Sequence, residues 1–504
     1  MDDVKYMRRK LRPVNPVLSF LQRVFLNEKL NNWVGYFLIA CLAGTFGFLT
    51  AKDFGIGVGL VGTILGIFIV FICLLSTEFG LYFIVGYAFL AYHLSRFLFN
   101  DQFPVGVVTD VLIGVTFIGL FFGNNNLKQS TIQFFRSRPI IYLFIIFIFL
   151  CLELFNPSAH SFQGWFQIIR KVLDSLLLLF IAYNVFTDYK KIWRFLKVLF
   201  LFAALAGLYG CIQQWHGLFG FEQRWVSSDL VRFDLIFILG NFRKFSFMSG
   251  PAEFGIIMAA CSLLFIIIGI HEKKPLNKYI LLAGSLFMIL GMSYSGTRTA
   301  NAMIVGGSIM FIILTIHKKV TIIFTFFAVL TYLFLMYAPI YNNLTLLRFR
   351  TSFSGSDDPS FKVREENRAA IRPYIYSHPF GGGLSTTGLN GKQYNPGHPL
   401  AGFPPDSGYL NKALETGWIG LAMSCILYFV TMLYTIQGYF RAKNNKIKII
   451  FAAASAFLFS FYIGELVQEA VGQFTNMVVY YPVVAIIVRL RHLSEKTTNE
   501  ETIS

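Results

Sequence analysis

The stretch GIGVGLVGTILGIFIVFICLLS, residues Gly55–Ser76, runs for 22 residues without a charged side chain. At 1.5 Å per residue such a run crosses the ~30 Å hydrocarbon core of a bilayer as an α-helix. Its apolar residues do not alternate with polar ones, which speaks against a barrel strand. In lipid the backbone must satisfy its own hydrogen bonds, so a helix is indicated. Working outward, Trp33–Ala51 and Pro139–Leu154 repeat the pattern. The chain has 504 residues, 55% hydrophobic and 14% charged, and a mean hydropathy of +0.60. Soluble proteins carry about a quarter charged residues, so lipid is the main solvent here. The expected fold is an all-α polytopic integral membrane protein with one large outer loop.

Apolar spans fall at 33–51, 54–75, 78–98, 104–123, 139–156, 171–187 and 192–217, then at 251–270, 278–296, 299–316, 319–339, 408–436, 448–464 and 470–488. The expectation is roughly 12–14 transmembrane helices. The split of 278–316 rests on Ser293–Thr299 alone. The formal charge of +17 is no nucleic-acid signature, because Lys and Arg sit mostly between spans. Every second connection is basic: Lys128, Arg136 and Arg138; Lys190, Lys191 and Arg194; Lys273, Lys274 and Lys278; Lys318 and Lys319; Arg441 through Lys448; Arg489 and Arg491. By the positive-inside rule these are cytoplasmic, as are both termini. Segments 157–170, 218–250 and 340–407 then lie outside. The first run follows Arg8, Arg9, Lys10 and Arg12 and reads as an uncleaved anchor. Cys41, Cys73, Cys151, Cys211, Cys261 and Cys425 lie in apolar runs without CxxC spacing, so neither a disulfide framework nor a zinc site is expected. The expected organisation is a basic cytoplasmic N-terminus (1–32), a transmembrane scaffold (33–239), a second transmembrane part (240–339), the outer loop (340–407), further transmembrane helices (408–488) and a cytoplasmic tail (489–504).

Arginines on the outer side ask for a reason beyond topology. Arg170, Arg243, Arg298, Arg348, Arg364 and several others map there. Arg298 interrupts an apolar stretch within Met292-Ser-Tyr-Ser-Gly-Thr-Arg-Thr-Ala300. A charge in lipid costs about 2.5–3.5 kcal/mol on insertion scales, so it is expected at a polar, functional cavity. Guanidinium groups grip phosphate oxygens bidentately, and several at one face suit a lipid-linked phosphate or pyrophosphate. In the loop, Gly381, Gly382 and Gly383 permit either close approach to a ligand or a tight turn. Asp406 fits two roles, helix N-cap or catalytic carboxylate. His378 and His398 are candidate proton carriers. Glu465 and Glu469 share one helical face near the outer boundary.

With those residues in place, the chain resembles the O-antigen ligase and O-antigen polymerase superfamily. The resemblance is carried by Ser-Gly-Thr-Arg298, by Arg243-Lys-Phe-Ser-Phe-Met-Ser-Gly-Pro-Ala-Glu-Phe-Gly255, and by Arg364 followed by His378-Pro-Phe-Gly-Gly-Gly383. Asp406-Ser-Gly-Tyr-Leu and Leu414-Glu-Thr-Gly-Trp-Ile-Gly420 complete it. It is strongest over 240–425.

The resemblance implies a GT-C-like membrane glycosyltransferase in a bacterial inner membrane, with the loop in the periplasm. It would move a glycan from an undecaprenyl-pyrophosphate donor to a saccharide acceptor, either lipid A–core or another glycan, by inversion. It implies no cofactor and no metal. Arg243, Arg298, Arg364 and Arg170 would hold the pyrophosphate, Asp406 or His398 would take the acceptor's proton, and His378, Gly381, Gly382, Gly383, Tyr409 and Glu415 would line the glycan path. Many such ligases carry His-Asn where this chain has Asp406 and Ser407, which leaves ligase and polymerase both open. The alternative from another class is a transporter or flippase of lipid-linked oligosaccharide. Against it, polar chemistry gathers at the outer face and the early spans hold few charges beyond Asp110 and Asp174.

Overall fold

The computed structural model describes residues 33–52, 54–123, 127–238, 240–340, 343–351, 353 and 359–503. The basic N-terminus, 1–32, lies outside them. Helices dominate, and the one paired-strand element among the described residues is a hairpin of Phe237–Ile238 with Asn241–Phe242. Each expected apolar span coincides with a helix, from Trp33–Lys52 to Phe474–Ile503. Among the described residues, eleven helices are long and apolar enough to cross a membrane. Phe162–Val185 falls outside that set although it is equally long, because it carries three charged residues, Arg170, Lys171 and Asp174, close together. The protein is an all-α polytopic membrane protein.

Pro251–Ile270 is the central helix, with 89% of its spanning window buried inside the protein. Its sequence is apolar around the whole circumference, as a helix without a solvent face must be. Pro275–Ser295, Arg298–Thr315 and Asn445–Val467 pack around it. Small residues let backbones approach: a Cβ on Gly207 would meet the Met288 nitrogen at 2.8 Å, and one on Gly307 the Ala456 carbonyl at 2.8 Å. Lys319–Tyr337 is the opposite case, only 6% buried, and stands in lipid.

Three boundaries differ from the sequence expectation. The span placed at 408–436 is two helices, Gly408–Glu415 and Gly417–Arg441, broken at Gly417 with φ +67°. The segment expected outside at 157–170 turns helical at Phe162, because the Ser161 hydroxyl caps the Gly164 N–H at 3.2 Å. The long loop is built from the helices Leu344–Thr351, Pro359–Ser377 and Gly388–Tyr394.

The connections on the loop face are tied to one another. Asp101 accepts from Trp225 Nε1 at 2.7 Å and pairs with Arg232. Asn156 donates to the Phe380 carbonyl at 3.2 Å, and Asn395 accepts from the Ser161 N–H at 3.2 Å. On the opposite face Glu78 pairs with Arg194 at 2.6 Å. Thus the segments that charge parity assigns to one side do meet on one side.

Candidate functional site

The site begins at a helix break. Pro275–Ser295 ends on Gly296 at φ +61°, a left-handed conformation that glycine adopts without cost, and Thr297 is the N-cap of Arg298–Thr315. The Thr297 hydroxyl donates to the Pro251 carbonyl at 2.9 Å, tying the break to the central helix. Arg243 is clamped onto this turn: Nε donates to the Ser295 carbonyl at 2.9 Å, Nη2 to Thr297 Oγ1 at 3.1 Å and Nη1 to the Leu235 carbonyl at 3.3 Å. Arg348 lies over Gly296, where a Cβ would strike its side chain, and donates to the Ile238 carbonyl at 3.2 Å. Burial, then the neighbouring Arg348, pushes the Arg243 pKa down to about 10. Arg348 is lowered by burial and then by Arg298. Arg348 thus bears on Arg243, and Arg298 on Arg348, while the partners named for Arg243 are all neutral. Guanidinium groups gathered in this way have the geometry to meet phosphate oxygens.

The loop supplies the next layer. His378 stacks on Tyr374 with centroids 4.0 Å apart, and its Nδ1–H donates to the Tyr374 carbonyl at 2.9 Å. In the neutral ring this leaves Nε2 as an acceptor. His398 has the reverse arrangement: Nδ1 accepts from the Leu400 N–H at 3.1 Å, so the ring proton sits on Nε2. Burial lowers the His398 pKa, with His378 and His160 adding to it. A neutral His398 with its lone pair already engaged is poorly set up as a base.

The glycine triplet forms a tight turn, Gly381 N–H donating to the His378 carbonyl at 2.9 Å, and approaches another part of the chain closely. Gly382 N–H donates to the Leu414 carbonyl at 2.8 Å and Gly383 N–H to the Glu415 carbonyl at 2.9 Å. A Cβ on Gly382 would lie 2.6 Å from the His398 ring and 2.8 Å from Tyr374 Oη. Gly381, at φ +73°, rests against Gly417 and Glu415. These residues dock the loop onto the end of Gly408–Glu415, and the Gly382 and Gly383 amides serve that junction.

At the loop exit, Ser407 rather than Asp406 is the N-cap; its Oγ accepts from the Leu410 N–H at 3.0 Å. Asp406 is left with a buried Oδ2 that makes no hydrogen bond among the described residues. Tyr409 Oη donates to the Tyr462 carbonyl at 3.2 Å. Glu415 is buried, its Oε1 2.7 Å from the Thr387 hydroxyl, and burial pushes its pKa up to about 7. Glu465 is a structural staple: fully buried, it pairs with Lys412 at 2.7 Å and accepts from the Ala470 and Val471 N–H groups. Glu469 instead lines a cavity of about 230 Å³ with Lys412 and Glu415, whose far wall is apolar, Ile146 and Leu179 included. Thr299, beside Arg298, donates to Gln468 Oε1 at 3.0 Å, one residue before Glu469.

Of the four arginines expected to hold pyrophosphate, Arg243 bonds to the turn that leads into Arg298, and each of the two lies near Arg348. Arg170 is engaged elsewhere, in an ion pair with Asp110 at 3.3 Å. The Arg364 side chain lies outside the described residues. Arg348, one of several outer arginines in the sequence, joins the cluster through the Phe237–Phe242 hairpin, and no local pattern announces that contact. Tyr374 and Lys412 are likewise visible only in three dimensions.

Fold and site together define a polytopic membrane protein with a cationic site and a buried carboxylate under one loop. Residues 283–425 match the family described as O-antigen ligase, placing this segment in the O-antigen ligase and polymerase superfamily. The matched segment holds Arg298, Arg348, the glycine triplet and Asp406, while Arg243 lies upstream of it. No curated protein matches the chain.

Proposed function

We propose that the chain is a glycosyltransferase that moves a glycan from an undecaprenyl-pyrophosphate carrier to a sugar hydroxyl at the loop face. The observation that carries this reading is the Arg243–Arg348–Arg298 cluster at the start of the long loop. In the reaction the acceptor oxygen bonds to the anomeric carbon as the C1–O bond to pyrophosphate breaks. The electron pair leaves with the pyrophosphate, whose growing charge the guanidinium groups stabilise. The hydroxyl proton passes to a base, and single displacement inverts the anomeric centre. Asp406 is the proposed base, since its Oδ2 has no other partner; His378 Nε2 is the second acceptor available. The acceptor is lipid A–core for a ligase or another lipid-linked glycan for a polymerase, the loop facing the periplasm of a bacterial inner membrane. No metal enters this scheme.

The test is the surface-glycan profile of cells carrying Arg298→Ala, Asp406→Ala or Ser407→Ala at matched protein levels. The first two lose transfer, Asp406→Ala by about 10²–10⁴-fold, the usual weight of a general base. Ser407→Ala weakens a helix cap by about 0.5–2 kcal/mol and keeps the chemistry. A ligase defect leaves polymer on the carrier, and a polymerase defect leaves single repeat units. Normal glycan from both Arg298→Ala and Asp406→Ala sinks the assignment, and donor stranded on the inner side marks a transporter instead.

A further inference from the structure

A second polar cavity, of about 910 Å³, opens on the face opposite the long loop. Arg136, Arg138, Arg441, Arg489 and Arg491 line it, with Glu495 the carboxylate on the same wall. All six lie outside the segment that matches the ligase family. Basic connections are ordinary on this face under the positive-inside rule. That rule does not require them to converge from separate helices onto one walled space, where like charges repel.

The wall is built rather than incidental. Arg489 Nε donates to the Phe186 carbonyl at 3.1 Å, and its guanidinium lies 4.9 Å from the Tyr183 ring centroid. Arg491 lies 4.0 Å over Tyr434, donates to Gln437 Oε1 at 3.3 Å and pairs with Glu495 at 3.4 Å, which offsets its charge. Between them His492 bridges Ser137 at 3.3 Å and Tyr183 at 2.8 Å. Arg136, Arg138 and Arg441 are exposed and make no side-chain bond among the described residues. Two anchored guanidinium groups and three without a partner form a receptor for a polyvalent oxyanion, because the planar fork matches phosphate oxygens. The volume falls within the ~300–1,000 Å³ of ligand sites.

We infer that this cavity binds the phosphate headgroup of an anionic phospholipid. The rim decides between lipid and soluble anion. Phe135 and Phe440, next in sequence to Arg136 and Arg441, are 42% and 65% exposed. An exposed aromatic beside Arg136 and another beside Arg441 give the amphipathic edge that acyl chains lie against while the headgroup meets the cations.

Native mass spectrometry of the full-length protein, with phosphatidylglycerol, phosphatidylcholine or glycerol phosphate added, tests this. Phosphatidylglycerol is retained over phosphatidylcholine, and glycerol phosphate at equal concentration does not displace it. The double variant Arg136→Gln/Arg441→Gln lowers the retained phosphatidylglycerol about ten-fold or more, as loss of two near-surface cations implies. Arg136→Lys/Arg441→Lys restores much of it. Arg194→Gln, on the same face but paired with Glu78, leaves it unchanged. Equal retention of phosphatidylcholine overturns the inference, as does unchanged binding by the Gln variant. Displacement by glycerol phosphate overturns the lipid and assigns a soluble anion.

Discussion

Glu415 is a carboxyl group with almost no access to solvent, and its ionised form is the costly one. Its pKa rises from 4.5 to about 7 in the folded protein, burial being the main cause. A raised acid pKa means that the fold prefers the protonated group. That contribution is complete below about pH 4.5 and is lost as pH rises through about 7. Thermal melts of the purified protein should therefore fall in Tm from pH 5 to pH 8, and Glu415→Gln should flatten the slope. Coincident slopes for the two proteins would remove Glu415 as the titrating group. At this scale the sequence was only partly legible. Asp406 and Ser407 are adjacent and both are good caps, so composition does not say which oxygen faces the helix. The answer depends on one backbone turn, and it frees the carboxylate. His378 and His398 were equivalent as letters, and only their neighbours' N–H and C=O groups fix opposite tautomers.

The loop is held at the level of elements by backbone contacts that a side chain would block. Gly382→Ala places a methyl group between the His398 ring and Tyr374 and pulls the amide off the Leu414 carbonyl. The expected result is a loop cleaved several-fold faster by added protease, with membrane insertion and protein level retained, at about the 1–3 kcal/mol typical of overpacking. Cleavage at the wild-type rate would show that the junction does not hold the loop. The triplet was visible in the sequence as a place of close approach. What it approaches lies some thirty residues onward at the end of Gly408–Glu415, and no periodicity reports a contact of that kind. The break at Gly296 was more legible, since Ser-Gly-Thr-Arg interrupts an apolar run with a glycine and a charge.

For the whole molecule, apolar runs reported the helices faithfully because bilayer thickness dictates their length. Lys and Arg give an expected sidedness because charge is costly to translocate. Which helix lies at the centre was not legible, since Pro251–Ile270 and Lys319–Tyr337 are both strongly apolar. Small-residue contacts separate them. The sidedness itself is measurable: a cysteine at Leu389 should react with a membrane-impermeant maleimide from outside, and one at Lys273 only after permeabilisation. The reverse labelling would invert the topology. The lightly packed Lys319–Tyr337 helix has one more consequence. Arg350 from the loop grips the Leu335 carbonyl in the helix's last turn and the Ala338 and Ile340 carbonyls just beyond its end. Hydrophobic mismatch will tilt a helix that neighbours do not restrain, and Arg350 passes that tilt on. The loop should then act as a gauge of membrane thickness. Its protease sensitivity should shift between nanodiscs of short- and long-chain lipid, and Arg350→Gln should leave it indifferent to the bilayer.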